Sequence, residues 1–167
     1  MKSMNPNDLK ELLIKCWMTH DGMWFYHCLQ ECGIEKTNRI NKAAVKSMAK
    51  IEIKRIQKIF EIEKIEKFAD LQKIMDKAME IFKADFMEFK YTFLVKNHIH
   101  CEMNKCWAYD GIVRMGVIDR YQCAIFSRIE GWFKALEINY AVKPSLNGCL
   151  MYTNGKCYRD YSFSFKE

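Results

Sequence analysis

The chain has 167 residues, half of them hydrophobic and 29% charged, which excludes a disordered polypeptide and suffices for one domain burying roughly two-thirds of its unfolded surface. Its formal net charge of +6 is not gathered into a block, because Lys and Glu alternate through KIEIKRIQKIFEIEKIEK (residues 50–67), so a nucleic-acid-binding protein is not the reading. No uncharged stretch nears the ~20 apolar residues of a membrane span, and charges interrupt the leading MKSMNPNDLKELLIK where a signal peptide would be apolar, so a cytoplasmic protein is expected.

Pro6 suits a first helical turn, and Leu9, Leu12, Leu13, Cys16, Trp17, Trp24 and Cys28 recur at three- and four-residue steps. A long helix is therefore predicted over residues 6–32, ending near Gly33. Gly22 inside it is expected to kink the helix or to admit a neighbouring backbone. Thr37 or Asn38 is the expected cap of a second helix reaching about residue 62, with Ile40, Ala44, Met48, Ile51 and Ile59 on one stripe. A third helix is predicted over residues 69–83, and the three should pack as an antiparallel helical unit.

The period then changes to two. Phe89, Tyr91, Phe93 and Val95 alternate with Glu88, Lys90 and Thr92, a half-buried strand, and a second strand is expected over residues 99–105. A short helix within 106–115 and a longer one over 119–137, capped by Asp119, follow. Asn154-Gly155 between alternating segments predicts a closing hairpin over 148–165. The fold class expected is α+β: an N-terminal antiparallel helical unit (1–85) packed on a small antiparallel sheet with one long helix (86–167), the two sharing one core.

Three constellations could carry chemistry. On the first helix, Cys16, His20, Trp24 and His27 share a broad face beside Asp21-Gly22, an acidic residue and a glycine that are both poor helix formers. A carboxylate next to an imidazole in an aromatic pocket would have a shifted pKa. In the second half, His98 and His100 project from one face of a strand and Cys101 from the other. Cys101, Cys106, Cys123 and Cys149 supply the thiols for a tetrahedral zinc site, with Cys157 as a further candidate. Eight cysteines in a reducing compartment favour metal or thiol chemistry over disulfides. If Asn154-Gly155 is a two-residue turn, Cys149 and Cys157 face opposite sides of the sheet; a three-residue loop puts them on one side, and both remain open. The third set is Tyr109-Asp110-Gly111, Arg114, Asp119 and Arg120, where a helix N-terminus and an Arg could meet an anion. No glycine-rich phosphate loop and no G-x-S-x-G elbow occurs.

The run W-x-x-x-D-G-x-W-F (Trp17, Asp21, Gly22, Trp24, Phe25), followed by Gly33 and the helix through Arg55, resembles an uncharacterised family of small cytosolic prokaryotic proteins. The cysteines at 101, 106 and 123, with Cys149-x7-Cys157 near Gly155, are similar to those of vinyl-reductase-type hydrocarbon-binding domains and of the L-2-amino-thiazoline-4-carboxylic acid hydrolase family. The first resemblance implies a pocket for small apolar molecules, sometimes with zinc; the second implies opening of a small sulfur heterocycle. Phe126 stands where the hydrolase Cys-x-x-Asp pattern would place its carboxylate.

The leading expectation is a cleft between the halves, walled by Trp17, Trp24, Phe25, Trp107 and Tyr121, that takes a small ligand or a metal ion. The alternative is a cysteine-dependent hydrolase of a small sulfur-containing or amide-like substrate, with Cys123 or Cys106 as nucleophile and His20, beside Asp21, or His100 transferring protons. A structural protein that forms a homodimer through its helical half is the third reading.

Overall fold

The computed structural model describes residues 4–165, and the fold is α+β. The elements in chain order are α1 (Pro6–Ile59), α2 (Phe68–Phe82), β1 (Phe89–Leu94), β2 (His98–Met103), α3 (Trp107–Arg114), α4 (Ile125–Ala135), β3 (Asn139–Lys143), α5 (Leu150–Asn154) and β4 (Cys157–Ser164).

α1 starts where Asn5 accepts the Asp8 N–H at 2.8 Å and Pro6 fills the first turn. It breaks at Gly33, whose φ of 72° and ψ of 168° belong to neither helix. The break reverses the chain. A straight helix would hold residues 17 and 52 about 50 Å apart, yet both reach Arg128: its guanidinium carbon lies 4.7 Å from the Trp17 ring centroid, and its Nε donates to Glu52 at 2.9 Å. The two arms, residues 6–32 and 34–59, thus form a helical hairpin. The expected cap at Thr37 or Asn38 is corrected: helix resumes directly after Gly33, and both residues lie inside the second arm. The Thr37 hydroxyl donates to the Gly33 carbonyl at 2.8 Å. The buried Asn38 side chain instead holds a distant loop, donating to the Arg120 carbonyl and accepting the Gln122 N–H.

The sheet is antiparallel in the order β1-β2-β4-β3. Its period-two pattern turns Ile99, Cys101 and Met103 of β2 and Arg159, Tyr161 and Phe163 of β4 to one buried face. Phe133 of α4 packs there, its ring centred 4.9 Å from Phe163 and 5.2 Å from Tyr161. Leu71, Ile74 and Met75 of α2 join the same buried cluster, as do Ala49, Ile53 and Ile56 of the second arm, so apolar contact is continuous from the helices into the sheet.

Three further expectations are corrected. The longer helix begins at Ile125, not Asp119, because residues 118–120 form a turn and the Gln122 and Cys123 N–H groups bond to the Asn38 side chain and the Gly148 carbonyl instead of to a preceding helical turn. β3 is an additional strand. Asn154-Gly155 closes a helix and not a hairpin: Gly155 takes φ 67° as the left-handed cap of α5, and β4 pairs with β2 and β3.

Gly22 neither kinks its arm nor admits a backbone, since a Cβ added there meets nothing within 4 Å. At Gly131 an added Cβ would stand 2.7 Å from the Ala49 Cβ, where α4 lies against the second arm. Gly22→Ala is therefore predicted to stabilise by about 0.5–1 kcal/mol through helix propensity. Gly131→Ala, the same chemical change, is predicted to destabilise by about 1–3 kcal/mol through overpacking. Urea unfolding of the two variants checks the opposite signs.

Candidate functional site: an aromatic cleft beside a thiol chamber

Between the first arm, the start of the second arm, the end of α2, α3 and the start of α4 lies a cleft of about 630 Å³, within the range of small-molecule sites. Trp17, Asp21 and Phe25 face it from the first arm at one-turn spacing, and Val45 and Met48 from the second. Phe82 and Phe86 close one side, Trp107, Ile112 and Tyr121 the other. Seven of the eleven methionines (Met18, Met23, Met48, Met79, Met87, Met103 and Met115) lie in the wall, a lining that adapts to irregular ligands.

The cleft is held by one polar knot. Arg128 pairs with both Glu52 oxygens, at 2.9 Å from Nε and 2.7 Å from Nη2, and Trp132 Nε1 donates to the same carboxylate at 3.1 Å. The guanidinium carbon lies 4.4 Å from the Phe82 ring centroid and 4.7 Å from that of Trp17. Arg128 is already satisfied, so it contributes ring-stacked surface to the wall more than an open charge. Neither Arg128 nor Glu52 was among the residues expected from the sequence. Their signal is positional: each falls on the apolar stripe of its helix, Glu52 beside Ala49, Ile53 and Ile56, and Arg128 beside Ile125, Ile129 and Trp132.

Asp21 lines the cleft. Burial raises its carboxyl pKa; hydrogen bonding and charge from His20, and charge from Arg128, oppose this, and Glu52 adds to it. His20 Nδ1 lies 3.6 Å from Asp21, but its side chain is 75% exposed and outside the wall. Trp24 is also exposed and outside it. Of the expected aromatic wall, Trp17, Phe25, Trp107 and Tyr121 are brought together.

The cysteines divide. Cys106, Cys123, Cys149 and Cys157 line a second, closed chamber of about 10 Å³, room for one water-sized sphere. They come from four places in the chain: the caps before α3 and α5, the residue two before α4, and the first residue of β4. Cys149 and Cys157 reach one chamber because residues 150–154 coil into a helix, which answers the facing question that a hairpin left open. Cys101 is elsewhere, on the buried face of β2 opposite Arg159. Met103, Ala108, Tyr121 and Ile125 line both the chamber and the cleft.

Burial dominates the thiols. It pushes Cys101, Cys123 and Cys157 up to about 12, and raises Cys106 against the Tyr109 N–H that its sulfur accepts at 3.4 Å. Arg159, two residues along β4 from Cys157, opposes its rise only weakly; this residue is 2% exposed, its guanidinium bonded to Glu130 at 2.7 Å, with Nε and Nη1 unpartnered. Among the described residues no three His, Cys, Asp or Glu side chains are gathered closely enough to hold a metal ion.

His98 and His100 lie on the opposite face of the sheet from the chamber. His98 bonds to Ser162 and to the Lys96 carbonyl, both at 2.7 Å, and His100 to Asp160 at 2.6 Å. Asp119 and Arg120 lie in an exposed turn, so no helix end presents them to an anion.

The thiols set a pH dependence. Cys101, Cys123 and Cys157 are protonated in the fold up to about 12 but have an ordinary value of 9.0. Between those values the unfolded chain binds fewer protons, so stability falls as pH rises. Stability should be level from pH 7 to 8 and decline from pH 9 upward, and a Cys101→Ala/Cys123→Ala variant should show a shallower decline in urea titrations at each pH.

No helix of the described residues is long and apolar enough to cross a membrane. No curated protein matches the chain at a significant level. Residues 4–130 match a family described as a family of unknown function, DUF6125, a span that takes in both arms, the Arg128–Glu52 pair and two of the four chamber cysteines, Cys106 and Cys123. This is more than half of the chain, and the protein belongs to that family.

Proposed function

We propose that the protein binds a small, largely apolar molecule in the cleft between its helical hairpin and the α3–α4 segment. The observation that carries this reading is the cleft itself: about 630 Å³ walled by aromatic and methionine side chains, with its central arginine already paired. A site of this makeup draws affinity from apolar burial and polarisable sulfur and takes its orientation from a few polar groups, here Asp21 and Asn41. The resemblance of the C-terminal half to hydrocarbon-binding domains of the vinyl-reductase type supports the same ligand class.

Thiol-dependent hydrolysis gains no support from the geometry. A nucleophilic cysteine needs a thiolate and a base within reach. Burial keeps the Cys123 thiol protonated, Cys123 faces the chamber and not the cleft, and His20 stands on the solvent side of its helix.

One observation favours a second reading, a structural zinc ion: four thiols from separate segments meet at a single chamber. Their donor chemistry suits tetrahedral zinc, although their present spacing is not that of ligands. Bound there, zinc would supply a crosslink, with Cys106, Cys123, Cys149 and Cys157 tying the ends of α3, α4, α5 and β4 together. About one equivalent of zinc in protein purified without chelator, lost in Cys123→Ser, is the result expected from elemental analysis; metal-free protein overturns this second reading and leaves the cleft untouched.

For the cleft, titration with the neutral fluorophore aminoanthracene should give saturable binding at one site. Gly22→Trp, which places an indole where an added Cβ meets nothing, should weaken that binding by about tenfold or more with the circular dichroism unchanged. Absence of saturable binding, or a Gly22→Trp variant that binds as well as the parent, overturns the proposal.

A further inference from the structure

The first arm of α1 carries a second apolar face besides the one it buries through Ile14 and Phe25. A surface helix ordinarily buries its apolar stripe and leaves its charges in water. Here the charged residues of the N-terminal turns reach back to the body of the protein: Lys10 Nζ donates to the Glu80 carbonyl at 2.9 Å, Glu11 accepts the Asp85 N–H at 2.7 Å, and Lys15 lies over the Phe86 ring at 5.2 Å. Leu9, Leu12, Leu13, Met23, Trp24 and Tyr26 are left between 39% and 59% exposed, Met23 also lining the cleft. They follow three- and four-residue steps along one broad face, and only the uncharged Cys16, Thr19 and His20 interrupt them. Thr19 spends its hydroxyl on the Lys15 carbonyl at 2.8 Å, so no free donor competes there.

We propose that this face is the interface for a second copy of the same chain, paired helix to helix about a two-fold axis. Six side chains on the order of 200 Å² each, about half exposed, leave about 600 Å² of apolar surface. With a rim of flanking residues that approaches the ~800 Å² per partner of a stable dimer, and it stands at the upper end of the apolar patches that monomers leave open, which are often functional. The stripe carries no charge, so two copies meet without like-charge repulsion, the requirement of an isologous contact. An antiparallel arrangement lays the leucines of one copy, at residues 9–13, on Met23, Trp24 and Tyr26 of the other, with Cys16 and Thr19 near the axis. A membrane surface fits less well. An interfacial helix brackets its apolar face with Lys and Arg that reach the headgroups, whereas Lys10 and Lys15 are committed to the protein body.

The test is sedimentation of the full chain at tens of micromolar, with Leu13→Glu and Ile51→Glu as variants. Leu13 and Ile51 are similarly exposed, 59% and 53%, but Ile51 lies on the second arm, off the stripe. The expected result is a parent species of twice the 19.9 kDa chain mass, a Leu13→Glu variant whose dimer dissociates at about a hundredfold lower affinity because two-fold symmetry buries the carboxylate twice, and an Ile51→Glu variant that remains dimeric. Circular dichroism of Leu13→Glu should match the parent. A monomeric parent, including one that instead cosediments with vesicles of anionic phospholipid, overturns the proposal, and so does a dimer indifferent to Leu13→Glu.

Discussion

The ion pair between Arg128 and Glu52 sets the geometry on which the rest depends. An arginine cannot shed its charge when buried, so a guanidinium only 20% exposed must find a carboxylate, and Glu52 is the one that meets it in two bonds. That requirement fixes the distance between α4 and the second arm of α1, at the level where Gly131 and Ala49 leave no room for a side chain. The guanidinium carbon then lies over the rings of both Trp17 of the first arm and Phe82 at the end of α2. One side chain thereby ties both arms of the hairpin to α2 and α4, and the cleft is the space these elements enclose around it. Breaking one partner leaves an uncompensated charge in a largely buried place, which costs far more than the pair contributes over an apolar substitute.

The chamber of thiols stands behind this cleft and shares four residues with it. Tyr121 is the clearest link: it is nearly fully buried, its ring meets Phe25 edge-on at 5.8 Å, and it separates the ligand-sized space from the sulfur atoms of Cys106, Cys123 and Cys149. Desolvation is the largest influence on each perturbed thiol here, which describes a dry interior and not a nucleophile's surroundings. The chemistry of the site is thus divided in space: apolar capacity in the cleft, soft donors in the chamber, and the hydrogen-bonded histidines on the other face of the sheet.

Much of this was legible along the chain because the signals are local. The stripe ending at Gly33, the helix of α2 and the alternation through Phe89, Tyr91 and Phe93 need only neighbours a few residues away. So did the placing of Trp17, Phe25, Trp107 and Tyr121 in one aromatic wall, as far as helix periodicity carries it. What failed was decided from afar. Asn154-Gly155 reads as a hairpin turn or as a helix end because both require a left-handed residue; the choice was made by β4 pairing with β2 and β3, which no window around residue 155 contains. Asp119 has the chemistry of a cap, yet Asn38, on another helix, takes the Gln122 N–H beyond it. Cys157 joins the chamber and Cys101 does not because strand register and the coil of α5 aim them. Glu52 hid within an alternating run of Lys and Glu that otherwise faces solvent.

The claim at the centre is that Arg128 and Glu52 act as one unit in holding the hairpin closed. A double-mutant cycle on unfolding free energy, with Glu52→Gln, Arg128→Met and the two combined, measures it directly. The account predicts a coupling of about 2 kcal/mol or more, with the double variant more stable than the sum of the single losses implies. Losses that add to within about 0.5 kcal/mol would contradict it, since independent residues show no greater interaction than that.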